Sequence, residues 1–204
     1  MKKAVIAGSV ALVLVALGTS FAFRQAPKAE PGFRSGIFDP PRDAPAFSLD
    51  GSNGKKLSPR DFLGKVVILE FGFTYCQYVC PITLARLTEV HKRLGSAADE
   101  VQLIFVTVDP ARDSPERLRE HLTTFNPSFL GATGTNEELQ AVYKSYGIVA
   151  EREVSKNKAL GYEMNHSSFL YLIDRTGKIR GLVPFGTPAD TILHDLDLLL
   201  KSRT

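Results

Sequence analysis

Cys76 and Cys80 are the only cysteines in the chain, and they stand four residues apart in Phe73-Thr74-Tyr75-Cys76-Gln77-Tyr78-Val79-Cys80-Pro81. Two thiols at that spacing are able to serve as soft metal ligands, as a redox couple, or as both. The inert alternative is a pair of buried apolar cysteines or one structural disulfide. Position favours chemistry. The apolar run Lys65-Val66-Val67-Ile68-Leu69-Glu70-Phe71 comes just before, and Leu84, Leu87, Val90 and Leu94 follow at helical spacing. The pair therefore falls at a strand-to-helix junction. Free backbone N–H groups and the positive end of a helix dipole favour thiolates there. Pro81 suits a first helical turn, where its missing N–H costs nothing. A helix starting near Pro81 puts Cys80 at its N-terminus and Cys76 in the preceding loop.

Two thiolates bind a soft ion such as Cu(I), and imidazole also suits copper. The histidines are His91, His121, His166 and His194. Three of them fall in amphipathic helical patterns, where a solvated or half-packed histidine is the default. His166 differs, because it stands in Glu163-Met164-Asn165-His166-Ser167-Ser168 at the entrance to an apolar strand. From position alone, a metal donor and a strand-end histidine satisfied by backbone are both open readings. Met164 is a soft neighbour of a type that is more often core than ligand.

The elements that must position these residues read as follows. Ala46–Leu57 is a short hairpin with glycine turns. Lys65–Phe73 is a buried strand, residues 81–94 are a helix, and Val101–Val108 is a second buried strand. Near-continuous apolar runs of this kind predict a parallel sheet covered on both faces. Ser114 and Pro115 open another helix as N-cap and first residue. Thr135-Asn136-Glu137-Glu138 has capping-box spacing for a third. Ser168–Ile173 and Lys178–Val183 flank the turn Asp174-Arg175-Thr176-Gly177 and form a second hairpin. Thr187-Pro188-Ala189-Asp190 caps a final helix. One βαβ unit, a hairpin and a closing helix give an α/β fold: a thioredoxin-like sandwich with a central mixed sheet. Sites on such sheets lie beyond the carboxyl ends of the parallel strands, where Cys76, Cys80 and Asp109 fall. Thioredoxin-like oxidoreductases place a cis-proline before the third strand, yet no proline occurs between Pro127 and Pro184. The Cys-x-x-x-Cys spacing also departs from Cys-x-x-Cys. Both features argue against a general disulfide oxidoreductase.

The N-terminus stands apart. Lys2 and Lys3 precede Ala4–Phe23, an uncharged run of 20 residues, about the length that crosses a bilayer as a helix. The run exceeds an ordinary signal-peptide core and predicts an uncleaved anchor over residues 1–23. The lysines stay cytoplasmic and the rest faces the periplasm or an equivalent compartment. Cleavage after Ser20-Phe21-Ala22 is the rival. Residues 24–44, with Pro27, Pro31, Pro40 and Pro41, read as a linker to a domain over 45–204. The net charge of +3 comes with no basic stripe, which argues against nucleic acid as a partner.

Taken together these residues resemble the Sco/SenC family, copper-binding assembly proteins of cytochrome c oxidase. The likeness runs through Gly72-Phe73-Thr74-Tyr75-Cys76, Cys80-Pro81 and Val108-Asp109-Pro110-Ala111-Arg112-Asp113-Ser114-Pro115. It continues through Tyr146-Gly147, Asn165-His166-Ser167 and Phe169–Asp174. The resemblance implies copper held by Cys76, Cys80 and His166, and an excursion before the third core strand over residues 148–165. It also implies delivery to a copper-accepting oxidase subunit, with Cys76 and Cys80 kept reduced by a periplasmic thiol reductant. One departure stands out. Gln77 and Tyr78 replace the proline and acidic residue usual after the first cysteine. Two other classes fit the same residues. One is a membrane-tethered thiol–disulfide reductase using Cys76 and Cys80 as its redox pair. The other is a copper or redox sensor. A thiol peroxidase fits poorly, since the chain lacks tryptophan and the Thr-x-x-Cys spacing.

Overall fold

The computed structural model describes residues 32–155, 158 and 161–202. The chain divides into two compact units, Met1–Gly32 and Phe33–Thr204, and the second holds every element below. Its strands and helices run β1 (Gly36–Asp43), β2 (Leu49–Gly51), β3 (Lys56–Leu57), β4 (Val66–Gly72), α1 (Val79–Leu94), β5 (Val101–Thr107), α2 (Pro115–Thr123), β6 (Leu130–Thr133), α3 (Asn136–Tyr146), β7 (Ala150–Val154), β8 (Tyr162–His166), β9 (Phe169–Ile173), β10 (Lys178–Pro184) and α4 (Ala189–Lys201).

Every residue of β4 and of β5 is buried, which is why both read as unbroken apolar runs. They pair in parallel at the centre of a mixed sheet ordered β1-β10-β9-β4-β5-β6-β2-β3. Successive side chains of β4 point to opposite faces. Phe71 meets Tyr143 and Tyr146 of α3, with ring centroids 6.3 and 5.6 Å apart. Gly72, one residue on, turns toward α1. Helices α1, α2 and α4 cover that second face. The arrangement is the thioredoxin-like sandwich expected from sequence. Helix α2 is capped by Ser114 with Pro115 following, and α3 by the Thr135–Glu138 box, as the spacing predicted.

Several elements differ from the sequence reading. Residues 36–43 belong to the sheet as β1, not to a linker. Edge position explains the error: β1 pairs only with β10, so Pro40 and Pro41 interrupt no central ladder and no apolar alternation is needed. Just upstream, Asp195 of α4, with 0% exposure, accepts hydrogen bonds from the N–H groups of Arg34 and Ser35 and from the Ser35 hydroxyl. Strand β6 escaped notice because it is short and carries Gly131. A Cβ there would come within 2.6 Å of the Leu118 Cβ, so α2 packs on bare backbone. Helix α1 starts at Val79, two residues before Pro81. Helix α4 has Pro188 at its N-cap with no side-chain bond, because the Thr187 hydroxyl turns back to the Pro184 carbonyl at 2.8 Å. The charged stretch before β9 is the hairpin β7–β8, a two-stranded sheet of its own. The anchor expected over residues 1–23 lies outside the described residues. Among those described, no helix is long and apolar enough to cross a membrane.

Candidate metal centre

Three segments converge beyond the carboxyl end of β4. The first is the loop from Phe73 to Tyr78. It is pinned at Thr74, whose N–H and hydroxyl donate to buried Asp113 at 3.1 and 2.6 Å. Asp113 also takes the Thr107 hydroxyl at 2.6 Å, so the carboxylate ties the loop to the end of β5. The second is the first turn of α1. Tyr78 sits at the N-cap with no side-chain hydrogen bond. Instead, the Cys80 N–H donates to Cys76 Sγ at 3.4 Å, so a sulfur occupies the capping position. The third is the end of β8, which delivers His166. Its Nδ1 lies 2.9 Å from the Ser167 carbonyl. A carbonyl only accepts, so that contact puts a proton on Nδ1 and turns Nε2 toward the sulfurs. Nε2 faces Cys80 Sγ at 3.9 Å.

The sulfurs of Cys76 and Cys80 and a ring nitrogen of His166 all lie within 4.8 Å of one another, the one such group of three among the described residues. The other histidines stay apart. His91 contacts Asn126 and Ser128, His121 packs edge-on to Phe125, and His194 belongs to α4. Asp109 does lie at the strand edge, yet it bonds Arg112 and Tyr162 rather than joining the group. Met164 lines the same surface cavity of about 200 Å³ as Cys76 and His166.

The two thiols are electrostatically unequal. Cys76 is lowered to about 4, first by the hydrogen bond from Cys80 and further by His166 and the N–H groups of Cys80 and Tyr78, against the effect of burial. Cys80, 1% exposed, is pushed up by that same hydrogen bond, by burial and by the charges of Glu70 and Cys76. The pair thus holds one proton at neutral pH, carried by Cys80. Close beneath, the buried Glu70 carboxyl is raised well above its usual range by desolvation and by the Cys76 charge. Gly72 is required at this point. A Cβ on it would stand 2.7 Å from the Phe105 ring and 3.0 Å from Cys80 Sγ.

Sequence reasoning missed four supporting residues: Glu70, Asp113, Arg112 and Tyr162. Glu70 carried a signal, being the one charge inside a buried apolar strand. Asp113 and Arg112 lay in the quoted run Val108–Pro115, and only Tyr162 was silent.

Soft sulfur and borderline nitrogen in this arrangement suit a thiophilic ion in low coordination number. The sequence pattern of the SCO1/SenC family matches residues 39–201. The chain belongs to the SCO1/SenC family. A SCO2-like protein of Rickettsia felis is 34% identical over 132 residues, covering 65% of this chain and 64% of that one. The mitochondrial protein SCO2 of Saccharomyces cerevisiae is 38% identical over 135 residues, covering 65% of this chain and 44% of that one. The match thus spans less than two thirds of either relative's length. Among solved structures, copper-bound ScoI from Bradyrhizobium japonicum has a TM-score of 0.70 at 32% identity, over 77% of this chain and 99% of that one.

Proposed function

We propose that this SCO1/SenC protein is a copper chaperone that holds Cu(I) through Cys76, Cys80 and His166 and passes it to the copper site of cytochrome c oxidase. The observation that carries the reading is the convergence of two sulfurs and one imidazole nitrogen within 4.8 Å. Copper bound to the related ScoI supports the choice of metal. Two thiolates and a neutral imidazole around Cu(I) make a site of net charge −1, which the N-terminal N–H groups of α1 offset. Loading releases the proton held on Cys80, so copper affinity falls as pH falls. His166 and Cys76 are half-buried at a surface cavity, so a recipient's ligands displace them stepwise without the domain opening. The oxidase subunit as recipient rests on the family resemblance.

Oxidation of the pair joins the two sulfurs, passes two electrons to an oxidant and releases the one proton that Cys80 carries. The disulfide has no thiolate to offer, so redox state gates loading. Thiol trapping with titrated Cu(I) should show copper shielding both thiols from alkylation. Oxidised protein should take up no Cu(I). Equal affinity of the two forms would sink the gate.

A second reading, a tethered thiol–disulfide reductase, is favoured by the Cys76 thiolate. Attack on a partner disulfide forms a mixed disulfide, and Cys80 resolves it by displacing the partner's second thiolate. A periplasmic thiol reductant is then needed to restore the pair. Reduction of insulin disulfides by the copper-free protein separates the two readings.

The anchor over residues 1–23 places this chemistry at a membrane, facing the periplasm or an equivalent space. The intact mass of the mature protein should include Lys2 and Lys3. A mature chain starting at Phe23 would make the run a cleaved signal.

A further inference from the structure

The cysteines and the histidine come from segments that share no sheet. The hairpin β7–β8 pairs only with itself among the described residues, and an isolated two-stranded hairpin is marginal in water. Its outer strand is largely exposed. Something beyond its own ladder must hold His166 in place. Ser167 does part of this at the base, where its N–H donates to the Val149 carbonyl at 3.0 Å and its hydroxyl accepts the Val149 N–H at 3.1 Å.

The larger tie is Arg112. It sits in the turn between β5 and α2, with 16% of its side chain exposed. Its Nε donates to Asp109, and its Nη1 donates to the Tyr162 carbonyl at 3.2 Å. The Tyr162 hydroxyl closes the triangle by donating to the other Asp109 oxygen at 2.7 Å. The guanidinium also stacks between two rings, 3.7 Å from the centroid of Tyr162 and 4.7 Å from that of Tyr75. On the far side, Arg152 of β7 covers Tyr162 at 3.5 Å, which draws in the outer strand. The two rings are informative by position. Tyr75 is the residue before Cys76. Tyr162, Met164 and His166 alternate on one face of β8, with Tyr162 about 13 Å along the strand from His166.

We propose that Arg112 is a positioning residue that couples the cysteine loop to the histidine strand, so that the two sulfurs and the imidazole are presented as one preassembled site. The planar guanidinium is suited to this because it stacks on two rings while donating in plane to a carboxylate and a carbonyl, which an ammonium group does not reproduce. The inference rests on His166 being a copper ligand.

The test is a double-mutant cycle on the reduced full-length chain, read by competition titration with Cu(I). Arg112→Lys should weaken copper binding by about tenfold or more, the scale usual for groups that orient metal ligands. In the His166→Ala background the same change should have almost no effect, because the ligand it positions is gone. Amide exchange over residues 162–166 should rise in copper-free Arg112→Lys while β4 stays protected. If Arg112→Lys does not fold, Tyr162→Phe enters the same cycle, keeping the ring and losing the Asp109 bond. Equal losses in both backgrounds would overturn the coupling while leaving the three-ligand site intact. Unchanged affinity in His166→Ala alone would overturn the three-ligand reading and the coupling with it.

Discussion

Replacing Cys80 by serine should lower Cu(I) affinity on the order of a thousandfold, about 4 kcal/mol. The argument is one of donor type and place. Cys80 is 1% exposed and sits between Cys76, which its N–H supports, and His166, whose Nε2 lies 3.9 Å from its sulfur. Removing that sulfur separates the two remaining donors and substitutes a hard oxygen for a soft ligand. Cys76→Ser should cost nearly as much, and His166→Ala about ten- to a hundredfold, since two thiolates still hold a linear Cu(I). His91→Ala and His194→Ala serve as controls and should change little, because neither joins the cluster. Competition titration of the reduced protein reads all five variants. Full copper retention without both cysteines would end the site assignment.

The second large effect is a difference in reactivity between the two thiols. Iodoacetamide should modify Cys76 quickly and Cys80 far more slowly in the folded, metal-free protein. The rate at Cys76 follows its thiolate, which forms above pH about 4. It should therefore stay flat from pH 6 to 8, where an ordinary thiol gains about tenfold per pH unit. A tenfold rise between pH 6 and 7 would show that Cys76 is an ordinary thiol. The same shift bears on stability. A folded value below the unfolded one means that the thiolate's contribution is complete above the unfolded pKa. It is lost as pH falls through the folded value near 4. Acid should thus loosen the first turn of α1, whose Cys80 N–H then loses its charged acceptor.

The central strands and the cysteine pair were legible in the sequence because burial on both faces leaves an unmistakable apolar run, and because cysteines are scarce here. Capping residues at Ser114 and Thr135 were legible for the same kind of reason: a cap is a local bond between near neighbours. What escaped were features set by distant partners. β1 looks like linker because an edge strand needs neither alternation nor freedom from proline. β6 looks like loop because α2 demands Gly131. Hairpin β7–β8 looks like a charged excursion because its strands are mostly solvated. His166 stands at the entrance to β9 as the sequence indicated, and what the sequence did not show is that it also closes β8. Arg112 and Tyr162 are fifty residues apart in the chain, and no spacing rule connects them.

The clamp on Arg34 and Ser35 has a mechanical meaning. A pull on residue 33 meets Phe33 packed against Arg180 and then the three hydrogen bonds that Arg34 and Ser35 make to the buried carboxylate of Asp195 in α4. What passes that point enters β1, at the rim of the sheet, with β10 and β9 standing between it and β4. The metal donors hang from β4, α1 and β8. Force applied at residue 33 is therefore met as shear between β1 and β10 before it reaches the strands that hold two sulfurs and an imidazole.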